Sequence, residues 1–391
     1  MNRTAESLTH PATEGAGPAG ELSSDRRADV EAKQARVAAL LAEAGREGLL
    51  LLEAENVSWL TAGAVPRGVL DPATAPAVFC SAEGRWLVCG NCDSQRLFDE
   101  ELDGMGFQLK EWPWHWGRDQ FFADLCHNRP LVCDRPPGVP GDFQAAAEPL
   151  RKLRRTLSVY EQACLLALGQ VLAHALEAAC RTLNPRDTER EVAGQLAHRL
   201  MHRGVHPVHI GVAADGRSRL YRRHGFTSTA IEKYAVLSAT ALKYGLHASA
   251  CRTVCFGEPP DELKSEQNAV SRVSASYLAS TWPDAVPREV LLAGRRIYQI
   301  SGFEHEWLLA PQGWLTGRAA VEALFTPQAG ELLEAGQAVT WVASAGGASS
   351  SDTYLVTDKG PRLVTPTELW PLKRIRIQGA ECIRPDVLVR T

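Results

Sequence analysis

The sequence predicts an α+β chain in two domains. A tail covers residues 1–24, a small α/β domain covers 25–149, and a larger domain of helices and strands covers 150–391. Three observations lead to this division. Strand-like and helix-like segments alternate from Arg46 to Asp134, the pattern of a small α/β layer. The Pro- and Gly-rich stretch "DRPPGVPGDF" then interrupts the pattern. Beyond Leu150, two helical stretches are followed by strands. Helices over 259–279 and 287–293 then lead into a second set of strands that reaches the C-terminus.

The opening "MNRTAESLTHPATEGAGPAGELSSDRR" lacks the continuous apolar core of a signal peptide and is rich in small and polar residues, so it reads as a disordered tail. Asp25 to Gly48 follows as a helix. Val30, Val37, Leu40 and Leu41 form its apolar stripe, and Gly45 and Gly48 mark its end. "GLLLLEAENVSWLTAG" reads as a strand and a short helix. "APAVFCSAEGRWLVCG" reads as a hairpin turning at Glu83-Gly84, and "FQLKEWPW" and "PLVCDRP" as further strands. From Leu150 to Leu183 the pattern is one long helical stretch, with a Ser-x-x-Glu capping signal at Ser158 and Glu161. A second helix follows, with Thr188 as N-cap and Gly204 as stop. Strands are expected around Ile210, Val236 and Val254, and in "AVTWVAS", "DTYLVTD", "PRLVT" and "LKRIRIQ".

Composition narrows the function classes. The chain has 391 residues, 45% hydrophobic and 23% charged, as in an ordinary globular protein, and a net charge of -4. No basic stripe points to nucleic acid, and "PLKRIRIQ" reads as a strand with outward charges. No apolar run is expected to be long enough to cross a membrane, and the expected compartment is the cytoplasm. The ten cysteines are therefore expected as reduced thiols. "CGNC" is a lone Cys-x-x-Cys at Cys89 and Cys92. With Cys126 and Cys133 it matches no familiar zinc spacing, so buried free thiols are expected.

The most informative stretch is "AVLSATALKYGLHASACRTVCFG", Ala235 to Gly257, a hairpin with a turn at Tyr244-Gly245. Together with "GWLTG" at 313–317, "AGQAVTW" at 335–341 and "SDTYLVTDKG" at 351–360, it resembles the creatinase, prolidase and methionine aminopeptidase family, the "pita-bread" fold. The resemblance covers most of 46–391 and is stronger in the second domain. It implies a creatinase-like N-terminal domain, a pita-bread domain with an internal pseudo-two-fold, and a dimer. In metal-bearing members these stretches supply two Asp, one His and two Glu, which hold two divalent ions that activate a water.

The matching positions here are Ser238, Ser249, Trp314, Val342 and Ser351. Hard divalent ions need anionic oxygen or imidazole donors. The expectation is therefore no metal and no cofactor. What the resemblance carries over is His224, at the position of the proton carrier in metal-free creatinase, and Arg252, the hairpin arginine. Glu322 matches a pocket carboxylate, and Asp352-Thr353 matches the pair after the last metal Glu. His209 ends a segment running toward His224 and is a further cleft candidate.

Other clusters have plain readings beside sharper ones. His198 and His202 lie four apart on a helix, but the residue after His198 is Arg199, not the Glu of a zincin, so solvated histidines are expected. "SAGGASSSD" reads as a polar hairpin loop rather than as a source of a Ser nucleophile. Arg222 or Arg223 could meet a carboxylate, with surface ion pairs as the plain reading. Tyr221, Trp307, Trp314 and Trp341 are expected near the cleft. Trp314 there either fills the ions' volume or offers a platform to a ligand.

The expected function is a non-catalytic homologue that binds a short peptide or small molecule, or a protein partner, in the old cleft and pairs as a homodimer. The alternatives are a metal-independent hydrolase of creatinase type using His224, and a conventional Xaa-Pro peptidase.

Overall fold

The computed structural model describes residues 19–66, 69, 71–377 and 379–391. The expected tail lies outside the described residues as far as residue 18. From Ala19 the backbone is helical, so the first helix begins six residues earlier than the sequence suggested.

Helix α1 (Ala19–Ala44) ends where Gly45 adopts a left-handed φ of 62°. Strand β1 (Gly48–Leu51) and helix α2 (Ala54–Leu60) follow, then the hairpin β2 (Ala77–Ser81) and β3 (Gly84–Gly90). Ser81 pairs with Gly84, so the turn residues are Ala82 and Glu83 rather than Glu83 and Gly84. A helical turn α3 (Ser94–Arg96), β4 (Gln108–Trp112), α4 (Arg118–Cys126), β5 (Pro130–Cys133), β6 (Asp142–Ala145) and α5 (Ala147–Arg155) complete the first domain. Its sheet has the order β4-β3-β2-β1-β5-β6 and is mixed: β1-β2 and β2-β3 are antiparallel, and the outer pairs are parallel. Leu49 and Leu51 point to one apolar cluster and Leu50 to the other, the alternation of a sheet covered on both faces.

The long helix expected after Leu150 is two helices. Ser158 caps the N-terminus of α6 (Val159–Thr182): its Oγ accepts from the Glu161 N–H, and the Glu161 carboxylate accepts from the Ser158 N–H. Leu150 of α5 belongs to the first domain's core, whereas Leu157 belongs to the second's. The two cores meet along this stretch, where Tyr160 packs against both.

The second domain continues with α7 (Glu189–Met201), capped by Thr188 as expected, and β7 (His206–Ala214), β8 (Tyr234–Lys243) and β9 (Leu246–Phe256). Next come α8 (Asp261–Ala279), α9 (Pro287–Ile300), β10 (Gly313–Thr316), β11 (Ala323–Leu324), β12 (Ala338–Ala345), β13 (Ala348–Leu355) and β14 (Arg362–Leu363). The hairpin β15 (Leu372–Ile377) and β16 (Ala380–Pro385) precedes β17 (Leu388–Arg390). One sheet has the order β17-β9-β8-β7 and is backed by α6 and α7. The other has the order β11-β10-β12-β13-β14 and is backed by α8 and α9. Two helices followed by a sheet, twice, is the expected pita-bread arrangement. Helix α6 is long and apolar enough to cross a membrane by length and composition, contrary to the sequence reading. It is a core helix instead, its apolar face built from Leu165, Leu168, Leu172 and Leu176 against the β8-β9 hairpin.

The domains meet around buried charges. Glu161 takes Lys33 of α1 at 2.7 Å and Arg318 at 2.6 Å, and Lys33 also reaches Asp29 at 2.6 Å. Burial pushes the Glu161 carboxyl up, but Arg318 and Lys33 more than reverse this and hold it at about 2. The tip of the β8-β9 hairpin docks here. Tyr244 and Gly245 both have positive φ, 54° and 65°. A Cβ on Gly245 would stand 1.7 Å from Ser58 Oγ of α2, so the turn and the contact both require glycine.

Candidate functional site

Strand parity assembles the site. Side chains directly opposite in an antiparallel pair share a face. On the first half, Gly211 pairs with Ser238, Thr240 with Ser249, and Ser238 with Cys251. On the second, Trp314 pairs with Thr340, Thr340 with Thr353, and Val342 with Ser351. Hydroxyls join the two faces. Ser249 and Thr240 are 2.8 Å apart at Oγ and Oγ1. Thr353 Oγ1 accepts from the Ser249 N–H at 2.8 Å and donates to the Ser249 carbonyl at 3.0 Å, and Thr340 Oγ1 lies 3.1 Å from Thr353 Oγ1. The five positions singled out in the sequence, Ser238, Ser249, Trp314, Val342 and Ser351, therefore line one space between the half-sheets.

His224 closes one side of this space. The point where a Cβ on Gly211 would stand is 2.6 Å from Ser238 Oγ and 3.0 Å from His224 Cδ2. Only glycine there lets the imidazole approach the strand. His224 is 7% exposed and its Nε2 is buried without a hydrogen-bond partner. Its Nδ1 lies 3.4 Å from the Tyr221 carbonyl. A carbonyl only accepts, so Nδ1 carries the proton and Nε2 presents a lone pair. Burial lowers the imidazole below its usual 6.5, which favours this neutral form.

The segment bearing His224 is held at two points that the sequence reading missed. Buried Glu189 accepts from the N–H groups of Ala214 and Thr227, at 2.8 and 2.7 Å, and from Arg217 Nε at 2.6 Å. Arg222 makes a two-pronged pair with Glu306 at 2.9 and 2.7 Å, and Glu306 also accepts from the Gly346 N–H at 2.8 Å. Arg222 is thus used internally, while Arg223 is exposed. The position of Glu189 inside a capped first turn was the available signal. Nothing local marks Glu306.

Of the other candidates, Arg252 and Glu322 are taken up by internal ion pairs, and His209 stays on the cleft face. Arg252 is fully enclosed. Its guanidinium reaches Asp352 at 2.9 Å and the Thr365 carbonyl at 3.2 Å, and Glu177 lies 3.6 Å from its Nε. Asp352 also takes Arg384 of β16 at 2.5 Å. Arg252 is thus engaged in an internal ion pair with a carboxylate of β13. Glu322 is likewise occupied: Arg154 of α5 holds it at 2.8 to 3.1 Å, and it accepts from the Ala319 N–H at 2.9 Å. His209 pairs with Thr240 on the inner face of β7 and is solvent-exposed.

Trp341 is not in the cleft. It points to the opposite face of β12, stacks on Tyr277 at 4.8 Å and donates from Nε1 to Thr281 at 2.9 Å. Trp314 is half-buried on the cleft face, and its Nε1 is buried without a partner. The serines of "SAGGASSSD" belong to strands rather than to a loop. The turn is Gly346-Gly347, and Ser349, Ser350 and Ser351 lie in β13.

The five cleft positions do not fit a pair of divalent ions. Three hydroxyls, an indole and an isopropyl group offer no anionic oxygen and no imidazole. Among the described residues no group of three or more His, Cys, Asp or Glu side chains is placed to hold a metal ion. That includes His198 and His202, which stack 6.0 Å apart on the surface of α7 and its end. It also includes the cysteines: Cys92 is exposed, the other nine are buried, and all are free thiols.

Comparison with known proteins agrees with the fold described above. The model of metallopeptidase family M24 matches residues 163–358. The prolidase from Pyrococcus horikoshii OT3 has a similar structure, with a TM-score of 0.73 and 17% identity over 88% of this chain and 99% of its own. The Xaa-Pro dipeptidase from Bacillus anthracis gives 0.71 and 19% over 89% and 99%. The N-terminal domain of the FACT complex subunit SPT16 from Cicer arietinum gives 0.64 and 9% over 89% and 97%. No curated protein matches the sequence.

Proposed function

The chain belongs to metallopeptidase family M24, and from that premise we propose that it is a member without the dinuclear metal centre, which binds a short peptide or small molecule in the old cleft without hydrolysing it. One observation carries this reading: Ser238, Ser249, Trp314, Val342 and Ser351 face one space and supply no donor set for hard cations. The space is lined instead by hydroxyls, an unpaired imidazole acceptor and an unpaired indole donor. Such a lining suits a ligand with both a hydrogen-bond donor and an acceptor, as an amide has. The likeness to a structure described as a subunit of a complex supports a protein partner as the source of such a peptide. A cytoplasmic homodimer is the assembly we propose, by analogy with the family.

A second reading has its own observation. The unprotonated Nε2 of His224, beside Ser238, is a base without a partner. In a metal-free hydrolase it would take a proton from an attacking water or hydroxyl and return it to the leaving nitrogen. A conventional Xaa-Pro peptidase is the third reading, and the donor set speaks against it.

The test is calorimetric titration with Xaa-Pro dipeptides and guanidino compounds, combined with product analysis in EDTA. Saturable binding with no turnover supports the first reading. EDTA-resistant turnover supports the second. Turnover that EDTA abolishes overturns both.

A further inference from the structure

The polar groups that face the cleft between the half-sheets are uncharged. Besides the hydroxyls they are two imidazoles, a thiol and an indole. His247 stands two residues before Ser249 on β9 and so shares its face. Its Nδ1 lies 3.1 Å from the Gly317 carbonyl, so Nδ1 carries the proton and Nε2 presents a lone pair, as in His224. Burial lowers both imidazoles below their usual 6.5, which leaves them neutral at pH 7. Cys251, directly opposite Ser238, is buried, and burial pushes its thiol up to about 12. The arginines of the surrounding segments are engaged: Arg217 with Glu189 at 2.6 Å, Arg222 with Glu306 at 2.7 Å and Arg252 with Asp352 at 2.9 Å. Arg223, next to His224, and Glu55 of α2, whose charge acts on His247, have no ion-pair partner among the described residues, but Arg223 is exposed and Glu55 partly so. A charge in contact with water contributes little to affinity, whereas an unpaired ion taken out of water costs far more.

Resting on the reading of the cleft as a binding site, we propose that its ligand is an interior stretch of peptide chain, uncharged where it lies between the half-sheets, and not a dipeptide with free ends. The buried Nε2 of His224 accepts from an amide N–H of that stretch, and the buried Nε1 of Trp314 donates to one of its carbonyls. An α-ammonium or α-carboxylate in the same place would give up its water without gaining a counter-ion. Apolar side chains extend the site beyond the cleft. Leu220, Tyr221 and Phe226 are exposed on the segment that bears His224, and Leu308 and Leu309 are exposed beside Glu306, which Arg222 ties to that segment. A chain that continues out of the cleft can cover them, and a dipeptide cannot.

Ala-Pro, N-acetyl-Ala-Pro, Ala-Pro-amide and N-acetyl-Ala-Pro-N-methylamide, titrated into the full chain by calorimetry at pH 7 in EDTA, test the proposal. The doubly blocked compound is expected to bind one-to-one, with each singly blocked compound weaker by roughly tenfold or more and Ala-Pro weakest, as the cost of burying an unpaired charge requires. Trp314→Phe keeps an aromatic ring and removes the N–H, and is expected to weaken the doubly blocked compound several-fold, the contribution of one hydrogen bond. Ala-Pro or either singly blocked compound binding as tightly as the doubly blocked one overturns the proposal and leaves the cleft a ligand site. Binding of the doubly blocked compound that Trp314→Phe leaves unchanged also overturns it. Absence of saturable binding by all four overturns the proposal together with the reading on which it rests.

Discussion

Val342 and Ser351 stand directly opposite each other on β12 and β13, on the face that looks toward the β8-β9 hairpin. In the metal-bearing relatives that the sequence resembles, these two positions are glutamates. An isopropyl group facing a hydroxyl carries no charge, so neither side chain offers an anionic donor.

The first expected outcome concerns metal. After incubation with Mn, Co or Zn and removal of free ion, elemental analysis should find no stoichiometric metal at the cleft. One equivalent or more located between Ser238 and Ser249 would contradict the donor-set argument. Metal bound elsewhere, as at Cys92, would not.

His224 should titrate below its usual 6.5, because burial disfavours the imidazolium. The unfolded chain then binds more protons than the folded one between the lowered value and 6.5. Stability is therefore fully present above about 6.5 and falls as the solution is acidified through that window. The His224 ring-proton titration read by NMR checks the sign, and a midpoint above 6.5 would refute the burial argument. If EDTA-resistant turnover exists, His224→Ala should lower its rate by on the order of a hundredfold or more.

Arg252→Met should cost about 3–5 kcal/mol, the range for breaking a buried pair, since it leaves Asp352 and Glu177 short of a cation. Urea unfolding measures this. Ligand titrations on the folded variant should be unchanged, which would separate a structural cation from a binding one.

Gly245→Ala should destabilise by more than the ~1–2 kcal/mol of a left-handed backbone alone, because the added methyl also meets Ser58 Oγ. Pairing it with Ser58→Gly should recover part of the loss. A neutral Gly245→Ala would show that the hairpin tip does not press on α2.

Local chemistry made much of this fold readable. The capping residues Ser158 and Thr188, the Tyr244-Gly245 turn and the two rounds of helices and strands all act over a few residues, and each is where the sequence put it. The break between α5 and α6 was signalled by Ser158 itself, but helical composition on both sides masked it. Parity separated Trp341 from the cleft: it is adjacent to Thr340 and Val342, and in a strand neighbours face opposite ways. What could not be read was long-range pairing. Arg252 finds Asp352 a hundred residues on. Glu322 meets Arg154 across 168 residues. Arg222 meets Glu306 only once the fold exists. Such partners decide whether a charged side chain faces a ligand or a counter-ion, and no spacing rule contains them.

The chain of hydroxyls through Thr240, Ser249, Thr353 and Thr340 has a consequence for how the protein lives in a cell. Where ions stitch two half-sheets together, the shape of the cleft follows the supply of those ions. Here neutral groups that do not titrate near physiological pH make the same seam. On the metal-free reading proposed above, the cleft keeps its form through metal starvation, chelation and metal excess alike.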